Sequence, residues 1–299
     1  MRIDRGILSG LTVVVLWASA FPAIQVAVPE LGVVGLSFVR LAVATAALVG
    51  VALVKRVRMP RLGDLGWIAA AGFFGMTAYQ LLLNAGELHV PAGTASIIVA
   101  AAPLVSVAVA RVLFHEPVTR FTAVGSAIAF AGVAVVCLAR AGLSLSAAVW
   151  IVGAASVVQG VYHPLQRPLL KRYSGFEVAT YTMIAGTVMT VPVVPFGWAQ
   201  LAAASPGGWM AGAYLALLPS ALGFVLWGYA VGRLPVAVST SLLYLVPPVA
   251  VVIAWAWLGE VPVAAELIGG AVVITGVCVI SQGDRLAARL CRGRAAPQG

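Results

Sequence analysis

The chain contains the same half twice, and this internal repeat is the feature that most limits its possible folds. Five residues of the first half recur 144 positions later in the second. They are Pro91, Pro103, Glu116, Gly125 and Gly132, repeated as Pro235, Pro247, Glu260, Gly269 and Gly276. Nearer the start of each half the offset is 142, as for Pro22 and Pro164. Self-similarity at one fixed offset predicts two copies of one structural unit.

The apolar content predicts that both copies lie in a membrane. Of the 299 residues, 62% are hydrophobic and 9% are charged. A membrane-spanning helix needs about 20 mainly apolar residues. Ten such stretches lie at 6–28, 33–54, 65–86, 92–113, 121–139, 146–168, 177–197, 207–230, 236–258 and 263–282. Prolines and glycines between Pro192 and Gly208 separate the seventh stretch from the eighth. Because the short alternating strands of a membrane β-barrel are missing, we predict an all-α membrane protein with ten transmembrane helices.

Five spans in each half give the two copies opposite orientations. We therefore predict a first repeat at 1–143 with spans 1–5, a second, inverted repeat at 144–282 with spans 6–10, and a basic cytoplasmic tail at 283–299. Inverted repeats that enclose a binding site near the middle of the membrane are an architecture of secondary transporters.

The net charge of +9 follows membrane orientation and does not indicate nucleic-acid binding. With the N-terminus inside, sixteen of the eighteen basic residues fall in inside segments. They are Arg2, Arg5, Lys55, Arg56, Arg58, Arg61, Arg111, Arg120, Arg167, Lys171, Arg172, Arg233, Arg285, Arg289, Arg292 and Arg294. This bias predicts that both termini are cytoplasmic. The first apolar run exceeds the usual length of a signal-peptide core, so we expect a retained helix.

Several motifs resemble those of the drug/metabolite transporter superfamily with two EamA-type repeats. They are Leu16-Trp17-Ala18-Ser19-Ala20-Phe21, Phe38-Val39-Arg40-Leu41-Ala42, Phe114-His115-Glu116-Pro117 and, in the second copy, Leu258-Gly259-Glu260-Val261. The resemblance covers 6–282 and implies ten helices, both termini inside and movement of small metabolites, often outward. Within the superfamily, the chain looks most similar to bacterial inner-membrane exporters of aromatic and other amino acids. One departure is that the Trp17 position carries Gln159 in the second repeat.

Polar and aromatic residues inside the spans are the candidates for a transport pathway, because hydrocarbon disfavours polar groups. Trp17 and Phe21 share a face of span 1, and their repeat partners Gln159 and His163 share a face of span 6. Each pair is next to a proline, Pro22 or Pro164, that would bend its helix. These faces either line a central cavity or pack against other helices, and the polarity of Gln159 and His163 favours the cavity.

Further candidates lie on spans 3, 4, 8 and 9. They are Tyr79, Gln80 and Asn84 on span 3, Ser96 and the kink residue Pro103 on span 4, Trp227 on span 8, and Thr240, Tyr244 and the kink residue Pro247 on span 9. Small residues on span 4 opposite a tyrosine on span 9 leave room for a ligand, although close helix packing explains them equally well. Trp227 is either a pathway residue or an interfacial anchor.

Arg40 is the one arginine well inside a span, and Glu87 is its candidate partner. Arg40 extends to the membrane surface, caps carbonyl groups or, as a possible charge site, holds a substrate carboxylate, and the two structural roles are favoured. No carboxylate lies near the middle of a span, so His163 is the only candidate proton carrier there. Gradient-driven movement without proton coupling explains the sequence more simply.

The repeat and the polar residues within the spans predict a transporter, and the resemblance implies that it lies in the inner membrane of a bacterium. It would export small amphipathic metabolites, particularly aromatic and large neutral amino acids, by alternating access around a cavity between the repeats. Efflux of lipophilic cations or multiple drugs, held by cation–π contacts, is the alternative, and a membrane protein without transport is a further one. The chain has no His-Glu-x-x-His or Gly-x-Ser-x-Gly motif, so we predict no enzyme activity. We expect a small-molecule substrate, contact with membrane lipid, no nucleic acid, no cofactor and no metal. The oligomeric state stays open, with a monomer favoured.

Overall fold

The protein is a bundle of helices. The computed structural model describes residues 5–115, 120–144, 147–231, 233, 242–276 and 278–279, and no β-strand occurs among them. The α-helices are α1 (Arg5–Leu31), α2 (Val33–Val54), α3 (Leu65–Gly72), α4 (Tyr79–Glu87), α5 (Ala92–Val99), α6 (Ala102–Phe114), α7 (Arg120–Ser144), α8 (Ala147–Leu165), α9 (Arg167–Leu170), α10 (Gly175–Thr190), α11 (Trp198–Ala203), α12 (Pro206–Leu215), α13 (Gly223–Val231), α14 (Val246–Leu258) and α15 (Ala264–Gly276).

Seven helical segments in this part of the chain are long and apolar enough to cross a membrane. They are Arg5–Leu31, Val33–Val54, Leu62–Glu87, Ala92–Phe114, Ala147–Leu170, Gly175–Ala203 and Pro206–Trp227. Three shorter apolar helical stretches fall within the three other predicted spans: Ala123–Val136 of α7, Val246–Leu258 and Ala264–Gly276. The all-helical class is confirmed for the described residues, and the count of ten spans stays a prediction.

The end of the predicted seventh span differs from the sequence expectation. The sequence placed this end at 197, yet the chain stays helical from Gly175 to Ala203. Pro192 and Pro195 change the local geometry to a 3₁₀ helix at Val191–Gly197 without ending the span. Proline fits this segment because it lacks an N–H but keeps a helical φ. The helix ends before Ser205, whose side chain caps α12 by accepting from the Gly208 N–H.

Irregular segments recur at equivalent places in the two halves. A π-helical segment at Phe73–Ala78 joins α3 to α4, and another at Ala216–Leu222 joins α12 to α13. A turn at 100–101 precedes α6, and a turn at 244–245 precedes α14. These features lie 143 or 144 positions apart, as the internal repeat does, and they fit a two-repeat architecture.

Left-handed backbone also recurs where two of these helices end. His115 follows α6 with a φ of 54°, and Gly259 follows α14 with a φ of 71°. Glycine adopts this conformation without steric cost, whereas histidine pays a penalty for it. The first copy therefore keeps the backbone geometry of the second despite a less suitable residue.

Glycines let α7 and α15 approach to backbone contact within one chain. A Cβ added to Gly132 would lie 2.7 Å from the Gly269 carbonyl oxygen, and one added to Gly276 would lie 2.5 Å from the Gly125 carbonyl oxygen. The repeat equivalents of Gly125 and Gly132 are Gly269 and Gly276, so each glycine meets the partner of the other. This reciprocal pattern is the signature of a two-fold relation, and it requires the two helices to be antiparallel.

The first helix of each half packs into the opposite half. Helix α1 contacts α12, α13 and α14, while α8 contacts α4, α6 and the π-helical segment Phe73–Ala78. The buried core therefore combines side chains of both halves, such as Ile24 of α1 and Val152 of α8. This exchange places the candidate residues of α1 and α8 at the boundary between the halves.

Candidate functional site

An aromatic cluster forms around Trp17. Its ring centroid lies 5.6 Å from that of Phe224 and 5.6 Å from that of Trp227, with both pairs tilted. The indole Nε1–H donates a 3.0 Å hydrogen bond to the Pro219 carbonyl oxygen in the second π-helical segment. Sequence reasoning named Trp17 and Trp227 separately, and the structure brings them into contact. Because the Trp227 ring packs on Trp17, a pathway role explains Trp227 better than a role as an interfacial anchor.

The π-helical segment Ala216–Leu222 also holds Arg40. The Arg40 Nε–H donates a 2.8 Å hydrogen bond to Ser220 Oγ, and both residues are buried. Of the three roles open to Arg40, extension to the membrane surface is wrong, because only 7% of the residue is exposed. Ser220 and Pro219 are adjacent, so the charged group and the aromatic cluster meet at one irregular turn. Such π-helical segments are frequent at functional sites.

Span 3 contributes a buried polar face. Gln80 and Asn84 lie four residues apart on α4 and are buried, whereas Tyr79 is half-buried and packs on the apolar core. Asn84 Nδ2 donates to Ser37 Oγ at 2.9 Å, which joins α4 to α2. Gln80 Oε1 and Asn84 Oδ1 have no hydrogen-bond partner in the protein. A buried polar atom left in this state costs on the order of 1–3 kcal/mol.

Helix α8 carries Gln159 and His163 on one face. Gln159 is half-buried, and its Oε1 atom has no hydrogen-bond partner in the protein. His163 is exposed, and its ring centroid lies 5.6 Å from that of Tyr162. Among the described helices, α1 and α8 do not pack extensively on each other, but both pack on α4 and α5. The two matched faces therefore do not meet directly, and a central cavity between them stays a prediction.

The predicted faces of spans 4 and 9 lie at the two matched turns. Ser96 is buried, and its hydroxyl donates to the Gly93 carbonyl oxygen at 2.7 Å, so this oxygen already has an internal role. Tyr244 is half-buried at the turn before α14 and packs on the apolar core. Pro103 and Pro247 occupy the first turns of α6 and α14, where proline is well tolerated. Thr240 lies outside the described residues.

The two predicted kink prolines of spans 1 and 6 have different surroundings. Helix α1 continues for nine residues beyond Pro22, as far as Leu31. Helix α8 ends at Leu165, directly after Pro164, and the short helix α9 follows. Phe21 is buried beside Pro22, with 6% of its surface exposed, so it packs in the core. The structure therefore ends a helix at only one of the two prolines.

Two glutamates near these spans have unexpected surroundings. Glu260 precedes α15 in the chain, yet its carboxylate lies at the N-terminus of α5. It accepts from the Ala92 and Gly93 N–H groups at 3.3 and 3.5 Å, a favourable place for negative charge. Glu87 is buried, and neither of its carboxylate oxygens has a hydrogen-bond partner in the protein.

Sequence reasoning missed Pro219, Ser220, Phe224 and Tyr214. Tyr214 shares a 2.7 Å hydrogen bond with Ser19 Oγ, which adds a further link between α1 and span 8. The missed residues belong to span 8, where Trp227 was the only residue singled out. The available signal was Pro219 within an apolar run, because an internal proline marks a helix irregularity.

A cavity of about 810 Å³ opens at the end of the bundle predicted to face the cytoplasm. Its walls include Trp67, which stacks on Phe114 with ring centroids 6.3 Å apart, and the basic residues Arg167, Lys171 and Arg172. No group of His, Cys, Asp or Glu residues suited to a metal ion occurs in the described part of the chain.

Comparisons with known proteins agree with this architecture. The profile of the EamA-like transporter family matches residues 4–138 and 145–282. The chain is 51% identical over 282 residues to the "Probable terminal-alkyne amino-acid exporter" of Streptantibioticus cattleyicolor, covering 94% of this chain and 95% of that protein. It is 31% identical over 264 residues to the uncharacterized transporter YdfC of Bacillus subtilis, covering 88% and 86%.

A solved crystal structure shares the fold. It has a TM-score of 0.63 at 18% identity and covers 92% of this chain and 96% of its own. The family match spans nearly the whole chain, and the apolar helices account for its place in a membrane. The names of the relatives describe transporters and not enzymes. The chain therefore belongs to the EamA-like transporter family of the drug/metabolite transporter superfamily and is a multi-pass membrane transporter.

Proposed function

We propose that this transporter exports small amphipathic metabolites, above all aromatic and large neutral amino acids, by alternating access. The observation that carries the proposal is the pair of matched helix interruptions at 100–101 and 244–245. Interrupted helices in corresponding positions of two repeats are typical of the substrate sites of secondary transporters, because they free backbone groups inside the membrane.

The alternating movement would take place between two inverted five-helix repeats, at 1–143 and 144–282, with the tail at 283–299. The antiparallel glycine contacts between α7 and α15 support this inversion, since equivalent helices of inverted repeats run in opposite directions. Ten spans with both termini in the cytoplasm of a bacterial cell would also agree with the distribution of basic residues.

The chemistry of the site supports an amphipathic substrate. Trp17, Phe224 and Trp227 offer aromatic surface. Arg40 of α2 bonds to Ser220 of the same π-helical segment that accepts the Trp17 indole N–H. A molecule with an apolar part and a charged part would find a matching group for each. The relative named "Probable terminal-alkyne amino-acid exporter" is 51% identical to this chain, and its name supports amino acids as the substrate class.

The test is flux in liposomes that contain the purified protein. The liposomes would be loaded with labelled phenylalanine, methionine, threonine or propargylglycine, which is a terminal-alkyne amino acid. Flux of each would be measured with and without a pH gradient. We expect saturable flux of phenylalanine and methionine without a gradient. Flux that occurs only with the pH gradient would indicate proton-coupled transport instead of facilitated diffusion. No flux of any amino acid, together with flux of a lipophilic cation such as tetraphenylphosphonium, would reject the amino-acid proposal in favour of cation efflux.

A further inference from the structure

Arg40 and Glu87 are buried side chains of opposite charge that do not pair. Only 7% of Arg40 and 2% of Glu87 is exposed. They are close enough to interact electrostatically, and Tyr79 interacts with both, so the three side chains form one cluster. Arg40 and Glu87 both belong to the described residues, and no salt bridge within 4.0 Å joins them. Buried charges are normally paired or bound to a ligand.

The unused hydrogen-bonding atoms at this cluster differ between its two ends. Arg40 Nε is used by Ser220, but Nη1 has no partner in the protein. At the other end, both carboxylate oxygens of Glu87 and the Oδ1 atom of Asn84, three residues earlier on α4, are buried acceptors without a protein partner. The cluster thus offers a free guanidinium donor at one end and three free acceptors, two of them carboxylate oxygens, at the other.

The orientation of the Asn84 amide follows from its neighbour. Ser37 Oγ donates its hydrogen to the Val33 carbonyl oxygen at 2.7 Å. It can therefore only accept from Asn84, which fixes Nδ2 toward Ser37 and leaves Oδ1 as the free acceptor. The excess of acceptors at the Glu87 end does not depend on an arbitrary choice of amide orientation.

We propose that Arg40 binds the α-carboxylate and Glu87 the α-ammonium group of a zwitterionic amino acid. This inference rests on the proposed function, and it names the residues that would restrict the substrates to amino acids. A guanidinium forms strong charge-assisted bonds with a carboxylate. An ammonium group has three N–H donors, and the Glu87 end has acceptors for all of them.

The aromatic cluster of Trp17, Phe224 and Trp227 lies next to the Arg40 end of this site, where the substrate carboxylate would bind. Arg40 bonds to Ser220, and the adjacent Pro219 accepts the Trp17 indole N–H. A zwitterion held at Arg40 would have aromatic surface within reach of its side chain. This arrangement accounts for selection of amino acids with aromatic or large neutral side chains, because the two parts of the substrate meet adjacent parts of one wall.

The experiment compares three molecules that differ only in their charged groups. Phenylalanine carries both, 3-phenylpropionate lacks the ammonium group, and 2-phenylethylamine lacks the carboxylate. Each would compete with labelled phenylalanine for flux in liposomes. For the unchanged protein we expect phenylalanine to compete at least about tenfold better than either analogue, which corresponds to about 1.4 kcal/mol.

The two variants should lose discrimination in opposite directions. In Glu87→Gln, 3-phenylpropionate should compete to within about threefold of phenylalanine, while 2-phenylethylamine stays weak. In Arg40→Gln, 2-phenylethylamine should compete to within about threefold of phenylalanine, while 3-phenylpropionate stays a weak competitor. Glu30→Gln and Arg111→Gln are the matched controls, since both residues are exposed, and they should leave all ratios unchanged.

Conservative variants keep the test decisive if a charge removal prevents folding. Glu87→Asp should weaken competition by phenylalanine and leave competition by 3-phenylpropionate unchanged. Arg40→Lys should weaken both carboxylate compounds and spare 2-phenylethylamine. Competition ratios that stay unchanged in every variant would show that the pair is structural and would overturn the inference. Absence of amino-acid flux in the unchanged protein would instead reject the proposed function.

Discussion

The hydroxyl oxygens of Thr45 and Thr187 lie 2.7 Å apart, and the two residues are 142 positions apart in the chain. The same offset relates Pro22 to Pro164 near the start of the two halves. Thr45 and Thr187 are therefore repeat equivalents that bond to each other. Equivalent residues can meet in this way only near the axis that relates the halves, so this contact between α2 and α10 marks its position.

The destabilisation caused by replacing both threonines should be smaller than the sum of the destabilisations caused by the two single replacements. Thr187→Val should destabilise the protein by about 1 kcal/mol, because the Thr45 hydroxyl then loses its acceptor. Thr45→Val should cost less, because the Thr187 hydroxyl still donates to the Met183 carbonyl oxygen. The double variant should be closer to the unchanged protein than the sum of the two, since two apolar side chains of the same shape then meet. Thermal unfolding in detergent of all four proteins measures this coupling. Additive effects would mean that the two hydroxyls do not interact.

Gly75 should not tolerate a methyl group. A Cβ at this position would overlap the ring of Tyr162, which packs from α8 against the first π-helical segment. Overpacking of this kind costs about 1–3 kcal/mol, so Gly75→Ala should lower the unfolding temperature. Gly153→Ala is the matched control on α8, where nothing lies within 4 Å. Alanine is a better helix former than glycine, so this control should be neutral or slightly stabilising.

Trp17 should be needed for substrate binding more than for insertion or folding. Trp17→Ala removes the ring that contacts Phe224 and Trp227, and we expect the KM for phenylalanine flux to rise about tenfold, equivalent to about 1.4 kcal/mol. Trp17→Phe keeps an aromatic ring but loses the bond to Pro219, so its effect should be intermediate.

Trp150→Ala is the control for this prediction, because Trp150 is 68% exposed on α8. Concentration-dependent flux in liposomes gives the KM of each variant. An equal loss in Trp17→Ala and Trp150→Ala would argue against a pathway role for Trp17.

Asp64 should stabilise the contact between the α2–α3 connection and the segment after α9. Its buried carboxylate accepts from Arg172 Nη1 at 2.5 Å and from the Tyr173 hydroxyl at 2.7 Å. Asp64→Asn keeps an acceptor for Tyr173 but loses the charge, so we expect a destabilisation of about 1–2 kcal/mol. The Arg172 side chain is 55% exposed, so water limits the contribution of the ion pair to the free energy of unfolding.

Salt provides an independent check on Asp64. The difference in unfolding temperature between the unchanged protein and Asp64→Asn should shrink at about 1 M salt, where charges are screened within about 3 Å. A difference in unfolding temperature that does not change with salt would show that the ion pair with Arg172 contributes little to the effect.

Much of the architecture was predictable because its causes are local. Apolar runs of sufficient length identify membrane helices wherever they occur, and a repeated pattern predicts a repeated unit. The matched prolines at 103 and 247 also indicated matched irregularities. The sequence did not predict that Ala100–Ala101 and Tyr244–Leu245 would form turns, or that Phe73–Ala78 and Ala216–Leu222 would be π-helical, because these geometries depend on packing against other helices.

The sequence by itself determined the membrane class, the repeat and the residue types available for a pathway. Tertiary structure decided which of them meet. Arg40 and Ser220 are separated by 180 positions, and no local pattern relates a span 2 arginine to a span 8 serine. Glu87, the partner expected for Arg40, lies near it but forms no salt bridge. Only the packing of α2 against the second π-helical segment fixes these distances, because helix packing is set by side chains from every contacting helix at once.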